Sequence, residues 1–258
     1  MTDRVLLEMR GDVAVLTLNA PERRNAIDLE MVNALHAHFD ALQTNRDLAA
    51  VVLTGAGDKA FAAGADIAQL KERDAGDAMA SINSRIFLRV EEFPVPVIAA
   101  IRGFALGGGC ELAIACDLRV AGRSAKLGQP EVKLGIIPAA GGTYRLARIV
   151  GAGMARELIY TGRILDAEAS QAIGLVNHVV DDEAVLDKAL EIAEEIAQNG
   201  RLAVRFAKMS LNALTRAGQT AAVSMESAAQ AVLFDSEDKH RRMGDFLARA
   251  QKKKDAKS

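Results

Sequence analysis

The stretch that decides the fold runs from residue 103 to residue 111 and reads Gly103-Phe104-Ala105-Leu106-Gly107-Gly108-Gly109-Cys110-Glu111. The apolar run at 97–101 just before it predicts a buried strand, and the run at 112–116 just after it predicts a buried helix. Three consecutive glycines mark a point where the backbone bends sharply or approaches another group closely. Because the free amides of a helix start bind anions, the stretch predicts an anion site with Glu111 beside it as a proton carrier.

Length and composition indicate a folded α/β protein. A chain of 258 residues can bury a sizeable core in one domain, or in one domain with an appendage. Half of the residues are apolar and tryptophan is absent, which suits tightly packed α/β structure rather than disorder. The net charge is -2, and no apolar run approaches the ~20 residues of a membrane span. We therefore expect neither a nucleic acid nor a membrane as a partner.

The start of the chain and its two cysteines predict a cytoplasmic protein. Residues 1–4 have no signal-peptide character. Cys110 and Cys116 form no CxxC pattern, so free thiols in a reducing compartment are expected. Cys110 is a candidate nucleophile, but a small buried filler is the better interpretation of this residue.

Hydrophobic periodicity predicts alternating strands and helices, followed by a purely helical end. Strands are expected at 5–7, 13–18, 50–54, 97–101, 117–121 and 175–180. Helices are expected after an N-cap at Asp28, from residue 66 or 67, and at 82–93, 141–149, 154–161, 166–172, 185–197, 203–215, 219–234 and 237–252. The basic end at 251–254 is expected to fray.

The stretch at 55–60 fits the relaxed dinucleotide fingerprint G-x-G-x-x-A. A nicotinamide site needs a helix to begin inside that fingerprint, whereas here small residues continue as a loop through 61–66. We therefore expect no dinucleotide site. The small side chains at 61–66 instead let backbone amides approach a ligand closely.

A second glutamate precedes a second glycine-marked helix start. Glu131 follows Pro130, and Gly141-Gly142 opens the helix expected at 141–149. A solvated loop carboxylate is the simple interpretation of Glu131 when it is taken alone. Its place between a proline and an apolar, glycine-rich run favours a functional carboxyl group.

Taken together, these motifs resemble the enoyl-CoA hydratase (crotonase) family over nearly the whole chain. The matching residues are 61–67, 103–112, 115–117, 128–131, 134–138, 141–143, 145–146 and 174–176. The resemblance implies an α/β fold, namely a crotonase-like spiral of ββα repeats with a C-terminal α-helical trimerisation region. On this basis, residues 1–198 form the spiral core with the active site, and residues 199–258 form the helical oligomerisation region.

The resemblance also implies a coenzyme A thioester as substrate and a role for each matching site residue. The backbone amides of Ala65 and Gly108 match an oxyanion hole, and Glu111 and Glu131 match two catalytic glutamates. The residues matched to substrate binding are Arg24, Ala26, Ala63, Ala65, Asp66, Ile67, Ala68, Gly108 and Phe246. Ala139 and Gly142 match positions near the catalytic water, and Ala139 stands where relatives usually have glycine.

The reaction expected from this resemblance is the syn addition of water across the 2,3 double bond of a 2-enoyl-CoA thioester. It gives a 3-hydroxyacyl-CoA, as in fatty-acid β-oxidation or a related acyl-CoA degradation pathway. Two amides aimed at the thioester oxygen polarise the double bond, and one such donor is typically worth about 3 kcal/mol. Two close carboxyl groups repel when both are charged, so one is expected to keep its proton. Glu131 is assigned as the proton donor to the α-carbon and Glu111 as the acceptor from water, with no metal or other cofactor.

Two other functions remain open at this point. A Δ3–Δ2 enoyl-CoA isomerase on the same fold moves one proton and needs one carboxylate, so the presence of two glutamates argues against it. An RNA-binding protein of the same fold is supported only by the basic tail, against a mildly acidic chain.

The helical end of the chain predicts a homo-oligomer. The helix at 219–234 carries a wide apolar face made of Ala221, Ala222, Met225, Ala228, Ala229, Val232 and Leu233. An apolar face of this width on a terminal helix suggests a subunit interface. The resemblance implies a trimer, or a hexamer built from two trimers, and we expect Phe246 to lie close to a neighbouring subunit's active site.

Overall fold

The computed structural model describes residues 3–64, 71, 72, 76 and 82–255. The chain divides into two compact units, Met1–Ala197 and Gln198–Ser258. The helix expected from residue 66 or 67 lies outside the described residues. So do four of the predicted site residues, Ala65, Asp66, Ile67 and Ala68.

The first unit contains a six-stranded sheet. Its strands lie in the spatial order β1 (Val5–Arg10), β2 (Val13–Leu18), β3 (Ala50–Gly55), β5 (Val97–Ile101), β7 (Leu118–Gly122) and β10 (His178–Val180). β1 and β2 form an antiparallel hairpin, and the other neighbouring pairs are parallel. The central strands read as unbroken apolar runs because both faces of a parallel sheet are covered.

A smaller four-stranded sheet has the order β4 (Ala60–Ala62), β6 (Phe104–Leu106), β8 (Lys126–Gly128) and β9 (Ile164–Asp166). The first three of these strands are parallel, and β9 runs antiparallel to β8. The chain alternates between the sheets, because β3, β5 and β7 of the larger sheet are followed in turn by β4, β6 and β8 of the smaller one. Successive strand pairs therefore stack as repeats of one coil.

Helices connect and cover these strands. In chain order the first unit has α1 (Leu29–Gln43), α2 (Ile82–Glu92), α3 (Gly108–Ala115), α4 (Gly142–Val150), α5 (Ala152–Thr161), α6 (Ala167–Ala172) and α7 (Val185–Ala197). Short 3₁₀ turns lie at Pro21–Arg23, Glu131–Leu134 and Asp182–Ala184. The predicted cap of α1 is confirmed, since the Asp28 carboxylate accepts a hydrogen bond of 2.8 Å from the Met31 amide.

Two apolar clusters hold the first unit together, one on each face of the larger sheet. Alternate residues of a strand point to opposite faces. Val97, Ala99 and Ile101 of β5 therefore join the larger cluster, which also takes in the buried faces of α1, α2 and α3. Ile98 and Ala100 join the smaller cluster, which packs against α7.

The turn from β6 into α3 brings backbone segments into close contact. Gly107 has a φ of +52°, a left-handed conformation that favours glycine. A Cβ atom at Gly109 would overlap the carbonyl oxygen of Ala62 in β4, so only glycine lets α3 lie this close to the neighbouring strand. A Cβ atom at Gly64 would lie 2.8 Å from the carbonyl oxygen of Leu106 and 3.4 Å from the amide nitrogen of Gly108. The backbone at 103–111 thus makes the close approach that its glycines predict.

Some elements differ from the sequence-based expectations. The strands β4, β6, β8 and β9 were not expected, because three residues are too few to show an alternating pattern. The expected strand at 175–180 is wrong at its start: the amides of Leu175 and Val176 donate to the Ser170 carbonyl, and β10 begins at His178. The stretch at 55–60 leads into the strand β4. A dinucleotide-binding site needs a helix to begin here, so the structure excludes such a site at this fingerprint.

The described part of the second unit consists of α8 (Arg201–Ala217), α9 (Gln219–Phe234) and α10 (Glu237–Asp255). α8 and α9 pack against each other, and Ala222 and Ala229 of the predicted apolar face are buried. Val232 and Phe234 are exposed. α10 continues to Asp255, three residues beyond the predicted end at 252, and the fraying expected at 251–254 stays a prediction. None of the helices in the described ranges is long and apolar enough to cross a membrane.

Candidate active site

Glu111 lies in the first turn of α3, and its carboxylate is held by the loop that precedes α4. Its Oε1 atom accepts hydrogen bonds from the backbone amides of Ala140, at 2.7 Å, and Gly142, at 2.8 Å. The residue is 4% exposed, so these amides replace the water that would otherwise solvate the carboxylate. The two glycine-marked helix starts of the sequence therefore meet at one carboxyl group.

Opposing effects set the charge state of Glu111. Burial raises its pKa above the ordinary value for a glutamate. The amides of Gly142 and Ala140 stabilise the ionised form and act in the other direction, as does the positive charge of Arg145. The net effect is a raised pKa of Glu111. The two backbone amides nevertheless provide hydrogen bonds to the carboxylate when it is ionised.

Glu131 is the second buried carboxyl group of the site. It opens the 3₁₀ turn Glu131–Leu134 and is 8% exposed, so the interpretation as a solvated loop carboxylate is wrong. The pKa of Glu131 is raised to about 7, chiefly by burial and also by the negative charge of Glu111, while a hydrogen bond from its own backbone amide acts in the opposite direction. A Cβ atom at Gly107 would lie 3.1 Å from Glu131 Oε1, which places this carboxyl group at the start of α3. Glu131 and Glu111 thus flank one helix start, and the pKa of each is raised above the ordinary value for glutamate.

Gln129 is a buried neighbour of Glu131 that received no role from the sequence. With its amide nitrogen turned toward Glu131, it donates to Oε1 at 3.0 Å and to Oε2 at 3.2 Å. Gln129 is 1% exposed, so its side-chain amide is almost inaccessible to water and forms its hydrogen bonds with the protein. Its position two residues before Glu131, in a run that begins the 3₁₀ turn, carries no periodic signal that could have revealed it.

Cys110 lies next to Glu111 in sequence and is fully buried. The pKa of its thiol is raised to about 12, chiefly by burial and also by the negative charges of Glu131 and Glu111. A thiol that keeps its proton at neutral pH is a poor nucleophile. The interpretation of Cys110 as a small buried filler agrees with this environment.

The start of α3 also lies beside the end of β4. Gly108 is the first residue of α3, and the left-handed conformation belongs to Gly107 before it. Gly64, whose carbonyl carbon forms the peptide bond to Ala65, comes close to the Gly108 amide nitrogen. The described residues therefore bring the chain just before Ala65 next to Gly108.

The loop at Arg24 forms the border of this region. The carbonyl of Arg24 accepts from the Ala63 amide at 3.0 Å, and the Ile27 amide donates to the Gly64 carbonyl at 2.9 Å. The Arg24 guanidinium lies 5.7 Å from the centre of the Phe104 ring. Of the substrate-binding residues expected from sequence, Arg24, Ala63 and the buried Ala26 are thus placed near the glycine turns of β4 and α3.

Buried Asn25 holds this loop in place. Its Nδ2 donates to the carbonyls of Ala60, at 2.7 Å, and Ala56, at 3.0 Å, and its Oδ1 accepts from the Ala20 amide. Asn25 has a φ of +54°, which asparagine tolerates better than most residues. A polar residue in a polar loop gave no sign of this role in the sequence.

Comparison with known proteins now identifies the family. A family model described as enoyl-CoA hydratase/isomerase matches residues 8–255. The chain belongs to this family. It is 41% identical over 247 residues to the short-chain-enoyl-CoA hydratase of Clostridium acetobutylicum, covering 95% of each chain. It is 40% identical over 247 residues to the crotonyl-CoA hydratase of Syntrophomonas wolfei, again covering 95% of each.

Solved structures agree with this assignment to the enoyl-CoA hydratase/isomerase family. A crystal structure of an enoyl-CoA hydratase from Bacillus anthracis matches with a TM-score of 0.92 at 38% identity, covering 95% of this chain and 96% of that one. A second one, from Geobacillus kaustophilus, matches with a TM-score of 0.90 at 34% identity and covers 95% of both chains. The crotonase-like α/β fold that the sequence predicts is confirmed.

The structure also shows the surroundings of three further residues that the family resemblance assigns to the site, namely Ala139, Gly142 and Phe246. Ala139 is exposed, and its carbonyl accepts a hydrogen bond of 3.1 Å from Ser84 Oγ of α2. The amide of Gly142, expected beside the catalytic water, donates to Glu111 itself. Phe246 lies on α10 in the second unit and is 67% exposed.

Arg145 is a further buried residue of the site for which the sequence predicts no role. It lies on α4, is 3% exposed, and donates from Nη1 to the Ala140 carbonyl at 2.9 Å. Its Nε and Nη2 donate to Glu91 Oε2 of α2, at 2.9 Å and 2.6 Å. The feature of the sequence that could have indicated this role is the position of the arginine in the first turn of α4, three residues after Gly142.

Replacing Glu131 by glutamine is expected to change how stability depends on pH. The ordinary pKa of 4.5 applies to the unfolded chain and about 7 to the folded one, so folding favours the protonated carboxyl group. Its stabilising contribution is complete below pH 4.5 and is lost as the pH rises through about 7, amounting to as much as about 3 kcal/mol. In urea unfolding, wild type should therefore lose stability relative to Glu131→Gln between about pH 4.5 and about pH 7.

Glu183→Gln, at an exposed position, is the matched control and should leave the pH dependence as in wild type. Parallel pH dependences of wild type and Glu131→Gln would contradict a buried carboxyl group that holds its proton.

Proposed function

We propose that this protein is a 2-enoyl-CoA hydratase, which adds water syn across the 2,3 double bond to give a 3-hydroxyacyl-CoA. The observation that carries the proposal is the pair of buried carboxyl groups at the start of α3. Glu111 is furnished with two amide donors, and Glu131 has a pKa of about 7. An acid and a base side by side are what the simultaneous gain and loss of a proton require.

The substrate's thioester carbonyl is proposed to lie at the amides of Gly108 and Ala65. As water adds to the β-carbon, negative charge moves through the α-carbon onto the carbonyl oxygen. Preorganised backbone amides stabilise that charge without any reorganisation during the reaction. The proximity of Gly64 to the Gly108 amide supports this proposal, because Ala65 follows Gly64 directly.

The two glutamates divide the proton transfers in the proposed reaction. Glu111 takes a proton from water while the water oxygen forms its bond to the β-carbon. Glu131 gives its proton to the α-carbon, and the carbonyl regains its double bond. Proton exchange with solvent then returns both carboxyl groups to their starting states. No electrons are exchanged with another molecule and the amides polarise the carbonyl, so the reaction needs no metal or redox cofactor.

The remaining parts of the proposal follow the family match. We propose that Arg24, Ala26, Ala63, Asp66, Ile67, Ala68 and Phe246 contact the coenzyme A portion and that Ala139 and Gly142 lie near the reacting water. Two relatives are named as short-chain-enoyl-CoA and crotonyl-CoA hydratases, so crotonyl-CoA is the first substrate to test. A cytoplasmic role in fatty-acid β-oxidation or a related acyl-CoA degradation pathway completes the proposal.

Wild-type protein is expected to remove the enoyl absorbance of crotonyl-CoA, with kcat/KM falling as the pH rises through about 7 because Glu131 loses its proton. Glu111→Gln and Glu131→Gln should each lower kcat by about 100-fold or more, since positioned acids and bases contribute that much. Binding of a saturated acyl-CoA should survive in both variants. Steady-state kinetics and calorimetric titration measure the two effects.

Near-wild-type hydration in either variant would contradict the two-glutamate mechanism. A 3-enoyl-CoA offered to the enzyme provides the comparison with an isomerase. Conversion of the 3-enoyl to the 2-enoyl ester, with no loss of the absorbance of crotonyl-CoA, would assign the protein to isomerisation instead.

Gly108→Val tests the proposed oxyanion hole. Gly108 is the first residue of a helix, where a side chain is conformationally allowed, but a branched side chain there would crowd the thioester carbonyl. We expect kcat to fall by about 100-fold or more, the typical effect of losing one amide donor, with a melting temperature close to wild type.

Gly109→Ala is the contrasting variant. Its Cβ atom would overlap the Ala62 carbonyl oxygen, so this variant is expected to lose thermal stability together with its activity. Full hydration activity in a folded Gly108→Val enzyme would place the reacting carbonyl elsewhere.

The exposed apolar residues of α9 are proposed to pack between subunits of a trimer or of a dimer of trimers. Val223, Val232 and Phe234 are each about half exposed in the single chain, so α9 carries apolar side chains that a neighbouring subunit could cover. Light scattering of the full chain should give three or six times the mass of 27.4 kDa. Val232→Asp should lower that mass, whereas Leu6→Asp on β1 should leave it unchanged, and a monomeric, active wild type would refute the proposal.

A further inference from the structure

The loop that holds Glu111 is itself held from outside the site. Two peptide groups supply the donors to Glu111, one through the amide of Ala140 and one through the amide of Gly142. The peptide group between them carries the Ala140 carbonyl. Arg145 Nη1 donates to that carbonyl at 2.9 Å, and the Arg145 amide donates to the Gly141 carbonyl at 3.0 Å. One residue therefore grips the loop at two successive carbonyls.

Arg145 is fixed in turn by α2. Its Nε and Nη2 both reach Glu91 Oε2, and the two side chains are 3% and 14% exposed. A planar guanidinium can bind a carboxylate with one edge and a carbonyl with another, which an ammonium group cannot reproduce. Ser84, also on α2, donates to the Ala139 carbonyl of the same loop. Helix α2 thus supports the loop directly at Ala139, through Ser84, and indirectly at Ala140, through Glu91 and Arg145.

We propose that Arg145, backed by Glu91, is a positioning residue that holds the loop at 139–142 so that its amides grip Glu111 Oε1. The inference rests on the proposed function, in which Glu111 must be ionised and aimed at a water molecule. Arg145 touches neither the thioester nor the water in this proposal. It acts through the loop and through its charge.

The charged surroundings of Glu111 predict the direction of the effect. In the described part of the chain, Glu131, the Cys110 thiol and Arg145 are the titratable groups at this site, and Arg145 is the charge that acts on Glu111. Glu91 pairs with Arg145, and Arg119 acts on the Cys110 thiol. Arg145 lowers the pKa of Glu111, and so do the two amides that it keeps in place. Removing Arg145 therefore weakens both effects, and Glu111 keeps its proton to a higher pH.

The double variant Arg145→Met/Glu91→Leu provides the test. It removes both members of a buried ion pair and fills their volume, a replacement that is often neutral for stability. With crotonyl-CoA we expect kcat to fall about 100-fold, the usual result of a small misplacement, while KM changes little. The low-pH limb of kcat/KM should move up by about one pH unit, because a nearby opposite charge is lost. Arg145→Lys keeps the charge and should restore the position of that limb in part.

Arg119→Met is the matched control for the loss of a buried arginine. Arg119 is 5% exposed and donates to the carbonyls of Leu175 and Cys116, at the far end of α3 from the loop. This control should lower the melting temperature without moving the low-pH limb. An unmoved limb in a stably folded Arg145→Met/Glu91→Leu variant would overturn the positioning role while leaving the proposed hydratase activity intact.

A direct titration separates the two proposals. Infrared difference spectra of the carboxyl groups, assigned with Glu111→Gln, report the protonation of Glu111 whether or not the protein turns over. If wild type hydrates no 2-enoyl-CoA, the proposed function fails and the titration alone decides. A higher pKa of Glu111 in the double variant supports the role of Arg145, and an unchanged one refutes it.

Discussion

The structure depends on one constraint, the burial of the Glu111 carboxylate at the start of α3, away from bulk water. Glu111 is almost fully enclosed, and such a group is tolerated only when hydrogen bonds replace its hydration. The donors come from the loop at 139–142, while Glu111 itself is carried by α3. Two segments that are about thirty residues apart in the chain must therefore meet with the accuracy of a hydrogen bond. The two sheets of the coil supply that accuracy.

The strands and helices of the coil explain why the residues of the site lie so close together. β5 and β6 deliver the chain to the start of α3, and parallel neighbours fix both strands in register. Gly109 then lets α3 lie directly against the backbone of β4, where a side chain would keep the two apart. Because each repeat packs on the previous one, atoms near Gly64, Gly107 and Glu131 converge although they come from different turns of the coil. Close backbone contacts therefore position the carboxyl groups of the site.

The sequence predicted the parts of the molecule that leave a periodic or compositional trace. The bounds of α7 and the start of α1 agree with the expectations from sequence, because amphipathic spacing and the cap at Asp28 are strong local signals. The glutamates and glycines of the site were also found, since three glycines in a row and a carboxyl group after a proline are unusual. Three-residue strands such as β6 leave no such trace, because their existence depends on neighbouring strands.

The roles of the supporting residues could not be predicted from sequence, for a different reason. Asn25, Gln129 and Arg145 are polar residues whose importance comes from burial and from partners far away in the chain. Sequence alone gives no measure of burial for an isolated polar residue, and such residues are mostly exposed in proteins. Their roles therefore follow only from the folded arrangement, in which each one satisfies a backbone group or a carboxyl group.

The amide of Gln129 gives the site a tolerance that two carboxyl groups alone would lack. An amide carries a donor and an acceptor on opposite sides of one rotatable bond. Turned one way, it donates to an ionised Glu131, as the distances of 3.0 Å and 3.2 Å allow. Turned by half a revolution, it offers an oxygen to the proton of the neutral acid. In the proposed reaction Glu131 passes through both states in every turnover, and Gln129 can be a hydrogen-bond partner in each of them.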